Sequence, residues 1–167
     1  NDFHVINEKT EIDFGDSVVS FFQTTHSIPE SLGVVIKTDQ GNIVYTGDFK
    51  FDQAADKFYK TDFSRLAEIG NEGVLALLSD SANADSNEQG ASMHEAREEI
   101  LNTIADWDGR IIVAAVASNI VRIQQIFDAA EKTGRRIVLT GHDVENIVRT
   151  AIQLKKLHLV SEKLLVK

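Results

Sequence analysis

The chain has 167 residues, 43% of them hydrophobic and 26% charged, with a net charge of −9 and no cysteine. That length carries one sizeable core or two small ones, and the lack of cysteine excludes disulfides, thiolate metal ligands and thiol nucleophiles while fitting a reducing cytoplasm. The acidic balance argues against gripping nucleic acid by bulk electrostatics, yet it suits a nucleic-acid enzyme whose positive potential is local, supplied by bound metal ions.

A single proline and no low-complexity tract speak for an ordered chain. No apolar run reaches the ~20 residues of a membrane helix. Asn-Asp-Phe-His at the start is not a secretory signal, and with no initiator Met the sequence reads as a trimmed or excised segment.

In chain order, Ser17–Gln23 is an apolar, β-branched and aromatic strand running into His26. Gly33–Lys37 and Asn42–Thr46 flank Thr38-Asp39-Gln40-Gly41, a hairpin turn. Asp62–Ile69 reads as a short helix stopped by Gly70. Val74–Leu78 is a continuous apolar strand expected to be buried on both faces, ending at Ser79-Asp80. After a polar connector, a helix spans Ser92–Trp107, with Ser92 and Glu95 at capping-box spacing. Arg110–Val116 then reads as a strand, Asn119–Lys132 as a helix with Ile123, Ile126, Phe127 and Ala130 on one face, Arg135–Thr140 as a buried strand, and His142–Leu154 as a helix. Strand and helix alternating in this way predict a parallel sheet. A hairpin-rich layer thus occupies roughly residues 1–80, and an α/β zone follows from about 92.

Four places carry chemistry-bearing side chains at strand ends. His26, followed by Ser-Ile-Pro, is either a loop residue or a metal ligand. Asp48, after Thr46-Gly47, is either a turn cap or a carboxylate able to bridge two metals. Asp80 either closes an Asx-turn or stands where α/β enzymes put functional groups, supporting a metal-bound histidine. Ser118 and Asn119 either cap the following helix or contact phosphate there. His4, His94, His142 and His158 fit solvated or capping roles, and neither a Gly-rich phosphate loop nor a Gly-x-Ser-x-Gly turn is present.

The segments Thr-Thr-His-Ser-Ile-Pro-Glu-Ser, Gly-Asn-Ile-Val-Tyr-Thr-Gly-Asp-Phe-Lys-Phe-Asp, Leu-Leu-Ser-Asp-Ser-Ala-Asn and Ala-Ser-Asn-Ile-Val-Arg-Ile-Gln-Gln, in this order, resemble those of the ribonuclease J family. The resemblance implies an α/β chain. Residues 1–91 would be the later part of a first metallo-β-lactamase segment (an αββα sandwich), and residues 92–167 the first half of a beta-CASP parallel α/β domain. It implies a metal-dependent ribonuclease with 5′–3′ exonuclease and endonuclease activity in bacterial RNA processing and decay. Zinc would be the metal, two ions per complete site, with manganese or magnesium as substitutes. By the same resemblance His26 and Asp48 are metal ligands, Asp48 and Asp80 the catalytic acids, and Ser118 and Asn119 RNA-facing. RNA and a ribonuclease J paralogue, in a homo- or hetero-oligomer, are the implied partners, in the cytoplasm and without a membrane.

Departures from the family pattern are informative. The His-x-His-x-Asp-His motif, which supplies most ligands of both metals, does not occur in this sequence, nor do the later beta-CASP histidine motifs. Ala82 stands where the family usually has threonine, and Val121 where it often has histidine. Both resemble the second, weakly active paralogue of some Gram-positive bacteria, whose role is partly to assemble with the active one.

Overall fold

Apolar, β-branched and aromatic residues in the first half of the chain build one five-stranded sheet. Its strands are Glu11–Asp13 (β1), Val18–Gln23 (β2), Leu32–Thr38 (β3), Gly41–Tyr45 (β4) and Val74–Leu78 (β5), in that spatial order. The first four pair antiparallel, and β5 lies parallel to β4. It follows that β2, β4 and β5 run in the same direction, so their C-terminal ends leave the sheet on one side. The computed structural model describes residues 3–86, 90–159, 161 and 165–166. They form two units: one runs to His26 and resumes from Glu30 to Gly90, the other comprises Ser27–Pro29 and the chain from Ala91.

In the first unit Phe22, Val35 and Val44 project from one sheet face onto Ile69 and Leu66 of the helix Phe63–Glu72 (α1). Burying a side chain of this size contributes roughly 1.5–3 kcal/mol. Phe22 lies directly across from Gly33, and a Cβ at that position would overlap the phenyl ring. Glycine there lets the ring lie flat over the neighbouring strand. Asp62 caps α1 by accepting the Arg65 amide. The helix runs through Gly70, the expected stop, to Glu72, and ends where Gly73 takes a φ of 96° and donates its N–H to the Gly70 carbonyl. Two side chains explain the extension: a hydrogen bond from Lys37, then one from Asn42, hold the Glu72 carboxyl below the usual carboxylate range and pin the helix end to β3 and β4.

Strand β5 forms at the expected residues but is not buried on both faces. All five of its residues are exposed, Leu77 at 63%. It is the last strand of the sheet, with β4 its neighbour on one side. A run of apolar residues records what a strand is suited to meet, whereas burial depends on what packs against it.

In the second unit the helices follow their local signals. Met93–Ala105 (α2) carries a complete capping box: Ser92 accepts the Glu95 amide and the Glu95 carboxylate accepts the Ser92 amide. It stops short of Trp107, which is exposed. Ile120–Lys132 (α3) and His142–Gln153 (α4) pack through Ile120, Ile123, Phe127, Val148 and Ala151, with Leu157 beside them. Gln125 of α3 donates to the Met93 carbonyl at the start of α2. Among the described residues the parallel sheet is reduced to Ile137–Val138 (β6) paired with Leu165–Val166 (β7). Arg110–Val116, expected as a strand, has no strand structure, and the expected Arg135–Thr140 strand shrinks to two residues. A parallel strand exists only through a hydrogen-bonding neighbour, and among the described residues Arg110–Val116 pairs with none.

Candidate metal centre

His26 lies three residues beyond β2 and Asp48 three beyond β4, on the same side of the sheet because those strands run in one direction. The two loops are joined by a backbone bridge, in which the Lys50 N–H donates to the Thr25 carbonyl at 2.9 Å. Their side chains meet: His26 Nε2 is 3.6 Å from Asp48 Oδ2, with the imidazole about one-third exposed and the carboxylate open to solvent. The contact is an ion pair only with the imidazole protonated. Two tetrahedral zinc ligands at ordinary bond lengths stand about 3.4 Å apart. The pair therefore fits two positions of one divalent cation. Among the described residues no group of three or more His, Asp or Glu side chains could hold a metal, and these two are the pair that the strand ends bring together.

Asp80 follows β5, the third strand of common direction, and is tied to the Asp48 loop through Thr46. The Thr46 hydroxyl accepts the Asp80 amide at 3.0 Å, and the Thr46 amide donates to the Leu78 carbonyl at 3.0 Å. The Asp80 carboxylate itself accepts the Ala82 amide at 2.9 Å, an Asx-turn that needs no side chain at position 82. Thr46 was not singled out by the sequence, although its place two residues before Asp48 was the available signal.

Ser118 and Asn119 belong to the second unit. Asn119 Oδ1 accepts the Arg122 amide and so caps α3, while Ser118 is exposed. Asn119 and Arg122 also line a cavity of about 470 Å³ whose other walls include Ile104, Ile111, Val113 and Ala115. Of the remaining histidines, His4, His94, His142 and His158 are exposed, His142 facing Asn146 one turn along α4.

Comparison with known proteins places these residues in a family. The ribonuclease J beta-CASP domain matches residues 108–167. Ribonuclease J 2 of Streptococcus pyogenes is 68% identical over 167 residues, which is all of this chain and 30% of that protein. Ribonuclease J2 of Bacillus subtilis is 45% identical over 92% of this chain and 28% of its own length. The chain belongs to the ribonuclease J family. Ribonuclease J 1 of Streptococcus pyogenes is 48% identical over 89% of the chain and 26% of its own length, so within one organism the second paralogue is much the more similar. The chain spans 26–30% of the length of these curated relatives. A crystal structure of a protein of unknown function from Enterococcus faecalis superposes on 99% of the chain and 41% of its own, with a TM-score of 0.68 at 14% identity, and supports the mixed α/β fold. No helix among the described residues is long and apolar enough to cross a membrane.

Proposed function

We propose that this chain is part of a metal-dependent ribonuclease of the ribonuclease J type, acting 5′ to 3′ on RNA and also cutting internally, in the cytoplasm. The observation that carries the reading is the 3.6 Å approach of His26 Nε2 to Asp48 Oδ2 at the common end of parallel-running strands. In it His26 and Asp48 hold zinc, two ions per complete site, with the remaining ligands supplied from outside this chain. A divalent metal bound there supplies Lewis-acid chemistry, activating water and steadying charge on the phosphoryl group. The residues' own work is positional. His26 offers a ring nitrogen, Asp48 a carboxylate open enough to reach two ions, and Asp80, its loop fixed by Thr46, a further acid at the same corner. Ser118 faces RNA, with Asn119 shaping that turn as the α3 cap.

The test uses the full-length parent, with zinc affinity read by chelator competition and decay of 5′-monophosphorylated RNA read on gels. His26→Ala and Asp48→Ala should each cost more zinc affinity than the ~10–100-fold lost when a supporting group is removed, and should abolish decay. Unchanged zinc affinity in both variants would overturn the reading.

A second reading, a weakly active subunit that binds RNA and assembles with a ribonuclease J paralogue, is supported by Ala82, Val121 and the higher identity to the second paralogue. Mixing the Asp48→Ala parent with an active paralogue separates the two: undiminished stimulation supports assembly, and its loss supports catalysis.

A further inference from the structure

We propose that Thr61 is a positioning residue for His26, acting through Thr25; the inference rests on the metal-binding reading above. His26 stands on a loop past the end of β2, three residues beyond its last ladder pair. The residue before it is instead held by a partner 36 positions away. The Thr25 amide donates to Thr61 Oγ1 at 3.0 Å, the Thr61 amide donates to Thr25 Oγ1 at 3.0 Å, and the two hydroxyls lie 2.9 Å apart. Thr25 is fully buried and Thr61 is 4% exposed. Each hydroxyl can accept an amide proton and still share a proton with the other, so one reciprocal pair satisfies both amides and both oxygens out of water.

The clasp does more than close a loop. The Thr25 carbonyl, on the residue it grips, accepts the Lys50 amide and so fixes the Asp48 loop as well. On either side, the Asp62 amide reaches the Gln23 carbonyl and the Thr24 amide reaches the Ser31 carbonyl. Thr61, set between the short 3₁₀ turn Lys57–Tyr59 and α1, therefore ties the region carrying α1 to the residue that sets the His26–Asp48 separation. A ligand pair must be held to within about 0.5 Å to bind tightly. Replacing Thr61 by valine keeps the side-chain shape and removes the acceptor for the Thr25 amide.

In the full-length parent, with zinc alone as the probe, Thr61→Val should lower zinc affinity by about 10-fold or more, and Thr61→Ala should do the same. Thr61→Ser, which keeps the hydroxyl, should stay within about 3-fold of the unaltered protein, a rescue that a purely space-filling role would not give. Folding of each variant is checked by circular dichroism. Unchanged affinity in folded Thr61→Val alongside its loss in His26→Ala would overturn the positioning role and leave the metal site standing. Unchanged affinity in His26→Ala would overturn both. If neither the valine nor the alanine variant folds, the clasp serves folding and the proposal falls.

Discussion

At the residue scale, the sharpest local electrostatic effect lies beside the clasp, at Tyr59. Burial, then the neighbouring Asp56 carboxylate, push its hydroxyl up to about 12 from an ordinary 10.0. The folded protein thus keeps this proton over a range of pH in which the unfolded chain releases it. Stability that is fully present below pH ~10 must decline as the pH climbs toward ~12. Tyr59→Phe has no proton to lose, so its urea midpoint should drop less between pH 9 and pH 11 than that of the unaltered chain. Equal drops would show that the ring is not held as described. Single residues were also where the sequence said least. From spacing alone His26 and Asp48 read more readily as a loop residue and a turn cap than as ligands, and the family resemblance reversed that. Thr61 left no trace, because its partner is brought to it by the sheet and not by any nearby pattern.

At the level of elements, what was legible was what is local. Ser92 with Glu95, the apolar stripe of Ile123, Phe127 and Ala130, and the turn before Gly41 all specify their structure within a few residues. Replacing Ser92 by alanine should accordingly cost about 1 kcal/mol, read as a lower urea midpoint with α2 still formed. An unchanged midpoint would mean that α2 is held by packing and not by its cap. Strands failed where their definition is not local. Arg110–Val116 has the composition of a strand, and among the described residues it lacks a neighbour to bond with. The Gly70 stop failed for a related reason: Lys37 and Asn42 hold the last turn of α1 from other strands, outweighing the weak preference of one glycine.

For the molecule as a whole, the exposed β5 strand is the sheet's open margin. An apolar strand at the margin of a sheet offers both bare side chains and unpaired amides to any second chain. Prepared by itself, the 167-residue chain should therefore self-associate as its concentration rises, and Leu77→Lys should shift sedimentation velocity profiles toward the monomer. A wild-type chain that stays monomeric throughout would refute this. The shared direction of β2, β4 and β5 has a last consequence. Each strand works as a ruler graduated in steps of about 3.3 Å per residue, and the candidate donors sit just past the final mark. Deleting one residue inside β4 would shift Asp48 by a full graduation, further than a metal–oxygen bond is long. Insertions are thus better tolerated in the loops at the opposite end of these strands than within them.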